Sequence, residues 1–261
     1  MKKLINNLKE LKKFGMIGVK QSLEDEGATF KDIELMRKIT LKAGVDLNVK
    51  IGGCEAKNDI YFCKQIKVNS IVAPMVESEY ALKKFIQIAY DPKDKFTNLF
   101  VNIETKNALI NLRKIINSKY FKFLDGIVFG RSDIAGSYNL QKKDVNSKMI
   151  FSKISNALLL LKNKNKLIKM GGSITPTSIS FIENFYKKKL LKRVETRNIE
   201  IELNKKNIEN LNVSINKIFA FEMKWLQYKS KIKSNKKSLI RLRDYRSRIN
   251  EINNRLKNYK L

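Results

Sequence analysis

Short apolar runs alternate along this chain with longer amphipathic stretches, and that alternation limits the fold more than any other feature. A strand covered on both faces reads as a near-continuous apolar run, and a helix is what usually joins it to a parallel neighbour. The pattern predicts strands at 16–20, 46–51, 69–73, 98–103, 125–129 and 166–170, with a final strand inside 191–203. It predicts helices over 1–14, 32–43, 56–66, 78–89, 106–117, 148–162 and 177–188, while 130–137 reads as a loop. Pro74, Pro92 and Pro176 all fall in connections, as this register requires. Seven or eight such units in the first 200 residues suit an α/β fold of the TIM type, a (β/α)8 barrel. No strand is followed by Gly-x-Gly-x-x-Gly, which argues against a dinucleotide-binding sheet. The reading divides the chain into a barrel domain, 1–204, and a basic helical C-terminal extension, 205–261, packed on the barrel or on a partner subunit.

Composition narrows the chemistry. The chain carries a formal charge of +29 and no histidine, so neither the usual neutral-pH general base nor an imidazole ligand is present. Most of the excess is lysine, accompanied by abundant asparagine and isoleucine, a bias that an AT-rich genome produces without a polyanionic partner. Cys54 and Cys63 form no zinc spacing and read as plain thiols of a reducing compartment. The charged start, Met-Lys-Lys-Leu-Ile-Asn-Asn, lacks an apolar core, and no run approaches the roughly 18 apolar residues of a membrane span. The expectation is a cytoplasmic protein with no membrane partner.

Two acids stand where barrels do chemistry. Glu104 follows the apolar run Leu99-Phe100-Val101, and Asp133 follows Ile127-Val128-Phe129, so each sits at the carboxyl end of a strand. Two carboxylates without histidine or cysteine suit a hard cation, Mg²⁺ or Mn²⁺, which can polarise a keto-acid and stabilise its enolate. The duller reading makes Glu104 a helix-start acid beside Thr105 and Asp133 a turn residue. Glu55 follows Gly52-Gly53 at another strand end and reads either as a base, a water-mediated metal contact or a helix-start acid. Gly171, Gly172 and Ser173 follow a strand and precede a helix, as an anion cradle or as a simple tight turn. Arg131 and Arg197 offer guanidinium forks for a substrate carboxylate; for Arg197 a surface ion pair with Glu195 or Glu200 is the alternative.

With these residues in view, the chain resembles the HpcH/HpaI type of aldolase/citrate lyase, a superfamily of metal-dependent barrels, from about residue 16 to 200. The resemblance rests on Leu23-Glu24-Asp25-Glu26-Gly27-Ala28, Val49-Lys50-Ile51, Ile71-Val72-Ala73-Pro74-Met75-Val76-Glu77-Ser78, Ile103-Glu104-Thr105 and Gly130-Arg131-Ser132-Asp133-Ile134. It implies Glu104 and Asp133 as metal ligands and a carbon–carbon lyase or aldolase acting through an enolate of a small carboxylated substrate. It also implies that Lys50 stands where the family places a substrate-binding arginine, keeping the charge but not the fork. Family members are often oligomeric, and the aromatic stretch from Phe219 to Tyr228 is the expected interface of a homo-oligomer.

One alternative is a nucleic-acid or polyanion-binding protein on a silent barrel, drawing on Arg241, Arg243, Tyr245, Arg246 and Arg248. Another keeps the barrel and the metal but changes the reaction, to thioester hydrolysis or phosphotransfer.

Overall fold

The computed structural model describes residues 1–24 and 26–232, and six isolated helical positions between 246 and 257. Arg241, Arg243, Tyr245 and Arg248, which carry the polyanion reading, lie outside the described residues.

Eight strands close into a barrel in sequence order. They are β1 (Met16–Ser22), β2 (Asp46–Lys50), β3 (Ser70–Ala73), β4 (Asn98–Ile103), β5 (Gly126–Gly130), β6 (Leu167–Gly171), β7 (Arg193–Glu195) and β8 (Ile199–Glu202). The helices are α1 (Lys2–Lys12), α2 (Phe30–Ala43), α3 (Lys57–Gln65), α4 (Glu79–Ala89), α5 (Lys106–Ile110), α6 (Leu112–Asn117), α7 (Arg131–Ser137), α8 (Lys148–Leu161), α9 (Ile179–Lys187), α10 (Lys205–Glu209) and α11 (Leu211–Ile232). Among the described residues no helix is long and apolar enough to cross a membrane.

The first seven strands run parallel, and β8 runs antiparallel to both β7 and β1. The expectation of one strand in 191–203 is thus corrected to a tight hairpin of two. The three residues Thr196, Arg197 and Asn198 join them, too few for a crossover helix, so the pair can only be antiparallel. Two further readings change. The stretch 130–137 is not a loop but holds α7, starting directly after β5 with Asp133 in its first turn. The single helix expected over 106–117 is divided at Asn111.

Alternation along the strands separates two environments. Val19, Leu47, Val49, Ile71, Val101, Ile127, Phe129 and Val194 belong to one large buried core, whereas Val72, Phe100 and Val128 form a small separate cluster. The rest of the barrel interior is polar. Lys169 on β6, fully buried, lies 3.9 Å above the Phe100 ring and 2.9 Å from Glu200 of β8. Glu200 also accepts from Arg193, at 2.9 Å, and from the Asn48 amide. The buried Lys169 and Glu200 are therefore paired with each other, as a low-dielectric interior demands.

Local signals fix the helices. Thr29 and Asp32 form a reciprocal capping box at the start of α2, and Gly44 ends that helix in the left-handed conformation, φ 66°. α11 packs against α1 and buries Ile215, Ile218, Phe219, Phe221, Trp225 and Leu226. Most of the aromatic stretch expected to be a subunit interface is consequently consumed inside the chain's own core.

Candidate active site

The carboxyl ends of the strands surround a cavity of about 320 Å³. Lys50, Glu104, Asp133, Gly171, Gly172, Ser173 and Arg197, scattered over 148 positions of sequence, all line it.

Glu104 is the most constrained. It is 1% exposed. Its Oε1 accepts the Met75 N–H at 3.0 Å, and its Oε2 accepts the Asn102 amide at 2.7 Å. The Lys50 ammonium lies 3.8 Å from Oε2. Met75 adopts φ 51°, a costly conformation for a residue with a side chain, and so turns its N–H toward Glu104. The cap of α5 is Thr105, whose hydroxyl accepts from the Ala108 N–H. Glu104 does not cap that helix; it turns into the barrel. Burial raises its pKa, against the pull of Lys50, and the neighbouring Asp133 charge adds to the rise.

Asp133 approaches from the next strand, exposed in the first turn of α7. Gly130 lies between the two acids. A Cβ there would stand 2.8 Å from Glu104 Oε2 and 3.7 Å from Asp133 Oδ2, so the missing side chain leaves the space the carboxylates flank. The residues fit a hard cation. Among the described residues no three carboxylates, thiols or imidazoles gather. A Mg²⁺-like ion needs only one or two protein carboxylates, with substrate and water completing its shell. The buried Asn102 Oδ1, which has no hydrogen-bond partner among the described residues, adds another hard oxygen at the cavity wall.

Two expected residues are not brought to the cavity. Glu55 is exposed and pairs with Lys84 at 2.7 Å, because α3 begins past the rim. Arg131 is fully buried behind the cavity. Its guanidinium donates to Gly171 O at 3.3 Å, Gly172 O at 2.8 Å, Ser178 Oγ at 3.1 Å and Asn146 Oδ1 at 2.6 Å, and it stacks on Phe181. It holds the Gly171–Ser173 loop from behind, with four of its five N–H donors committed. Arg197 is exposed at the mouth, and the acids proposed as its partners are engaged elsewhere, Glu195 by Lys20 and Glu200 by Lys169 and Arg193.

The cavity also recruits residues that the strand-end reading passed over. Asn102 lies on β4 two positions before Glu104, which directly follows the strand, so the strand period carried one residue further places both on one face. Glu195 ends β7. Burial raises the pKa of such an acid, but Lys20 at 3.2 Å and Lys169 outweigh it and hold Glu195 below the usual range. Glu26, in the loop after β1, is buried, and Glu222 reaches the cavity from α11, where no local signal marks it.

A closed α/β barrel with an acidic, lysine-flanked cavity at its carboxyl face defines the general class, a barrel enzyme. Residues 28–172, more than half of the sequence, match the HpcH/HpaI aldolase/citrate lyase family model, and the chain belongs to this family. Its fold is shared with citrate synthase SbnG (TM-score 0.62, 13% identity, 80% of this chain and 86% of that one). It is shared equally with an HpcH/HpaI aldolase/citrate lyase family protein from Burkholderia cenocepacia J2315 (TM-score 0.61, 11% identity, 74% and 82%). No curated protein matches the chain in sequence.

Proposed function

We propose that the protein is a Mg²⁺- or Mn²⁺-dependent carbon–carbon lyase or aldolase for a small keto-acid or related carboxylated substrate. The observation that carries this reading is the meeting of Glu104 and Asp133 across Gly130, with Lys50 beside them. Glu104 and Asp133 would hold the cation, which supplies Lewis acidity to a keto-acid's carbonyl. Lys50 neutralises part of the substrate's negative charge from the barrel interior. The Gly171–Ser173 loop, fixed by Arg131, presents backbone and hydroxyl groups to a carboxylate, and Arg197 attracts anions at the mouth. The enclosed walls limit water around the developing enolate and strengthen these charge interactions.

Deuterium exchange into the methyl group of pyruvate, followed by NMR, tests the reading without the second substrate. Exchange that requires Mg²⁺ or Mn²⁺ and disappears in Glu104→Gln and Asp133→Asn is the expected result. Exchange that survives a chelator or either substitution refutes the assignment of these two acids.

A further inference from the structure

A chain without histidine needs another group to move the proton. Among the described residues five acids line the cavity: Glu26, Glu104, Asp133, Glu195 and Glu222. Glu104 and Asp133 are assigned to the cation, and Glu195 is held ionised by Lys20 and Lys169. Both oxygens of Glu26 accept from the Asn198 amide, at 3.0 and 2.9 Å. Glu222 differs. Its Oε1 takes two hydrogen bonds, from Thr196 Oγ1 at 2.7 Å and from Asn198 N–H at 2.8 Å, while Oε2 takes none from the described residues. The side chain is 2% exposed, yet it lines the cavity.

We propose that Glu222 is the proton-transfer residue of this site and that Glu26, joined to it through Asn198, positions and tunes it. The proposal rests on the enolate reading above. In the cleavage direction the Glu222 carboxylate takes the substrate's hydroxyl proton. The O–H electron pair becomes the new C=O, the C–C bond breaks, and its pair becomes the enolate. The same carboxyl then returns the proton to the enolate carbon, so charge and atoms balance with no further reactant. In exchange, the carboxylate removes a methyl proton, trades it with D₂O and returns a deuteron.

Among the described residues the charged groups that face Glu222 are Arg197, in the turn between β7 and β8, and Glu26, in the loop after β1. Burial raises the Glu222 pKa, the Thr196 and Asn198 bonds and Arg197 oppose the rise, and Glu26 adds to it. The net elevation moves the carboxyl toward neutral pH, where a general base works best.

The experiment uses the full chain, Mn²⁺ and pyruvate. Glu222→Gln keeps an oxygen that can accept both bonds, so the fold is retained. The exchange rate should fall at least about 100-fold, as loss of a general base does, with Mn²⁺ affinity by EPR within twofold of wild type. Glu26→Gln should move the acid limb of the exchange profile to lower pH. Exchange in Glu222→Gln within threefold of wild type overturns the proposal, and so does a parallel loss of Mn²⁺ binding. A wild type that does not exchange refutes the enolate reading instead. The carboxyl ¹³C signal missing from Glu222→Gln then still decides. A midpoint above the ordinary glutamate value, lowered by Glu26→Gln, supports the role of Glu222; an ordinary midpoint overturns it.

Discussion

Replacing Gly130 by alanine isolates the geometry of the acid pair. The residue has φ −94° and ψ 88°, which alanine can adopt, so the substitution acts through space and not through the backbone. The new methyl carbon would lie 2.8 Å from both Glu104 Cβ and Glu104 Oε2, whereas ordinary contact begins at 3.4 Å. The Glu104 side chain must therefore withdraw by roughly 0.6 Å, an overpacking change that costs ~1–3 kcal/mol. It has little freedom to do so, because the Met75 N–H and the Asn102 amide hold its two oxygens. One of those bonds must lengthen, and the carboxylate leaves its place opposite Asp133. Displacing a ligand through its surroundings typically weakens metal affinity ~10–100-fold. Thermal unfolding should show a Tm lower by ~3–10 °C, and Mn²⁺ titration by EPR should show that loss of affinity. An unchanged Tm would refute the packing argument. A lowered Tm with wild-type Mn²⁺ affinity would refute the role of Glu104 as a ligand.

Arg131→Ala should destabilise the fold by ~2–5 kcal/mol in urea unfolding, because the buried Gly171 carbonyl and the half-buried Gly172 carbonyl lose their donor. A loss under 1 kcal/mol would show that the loop does not depend on the guanidinium. The two thiols should resist alkylation at pH 8, since burial pushes Cys54 up to about 11 and Cys63 up to about 12. A thiol titration should count none in the native protein and both after denaturation; rapid native labelling of Cys54 would contradict its environment.

The barrel was legible because each parallel strand carries its own apolar run and each connection its own breaker. The acids Glu104 and Asp133 were legible for the same reason: a residue just past a buried strand must emerge at one face of the sheet. Glu55 and Arg131 satisfied that rule in sequence but not in space. A long side chain beside a strand end can turn outward to a lysine or backward beneath a loop, and which it does depends on neighbours that only folding supplies. The β7–β8 hairpin was hidden by length, since three- and four-residue strands leave too little pattern to separate two from one. Glu222 was hidden by its helix. Its surroundings read as a core-facing aromatic face, and nothing local reveals that one acid on that face meets a turn 24 residues earlier.

The reversed last strand also has a consequence for how the molecule is made. β8 is the stave that joins β7 to β1, and the Asn198 side chain bonds a backbone carbonyl 178 residues earlier, at Lys20. Until that part of the chain leaves the ribosome, the growing sheet is open, with β1 and β7 as bare edges able to pair with strangers. The last wall of the cavity arrives later still, with α11. Synthesis, closure and completion of the cavity are thus ordered in time. A nascent chain whose emerged part stops before residue 199 would present an unsealed sheet to chaperones, and one whose emerged part stops before residue 222 a closed barrel whose pocket has not yet been finished.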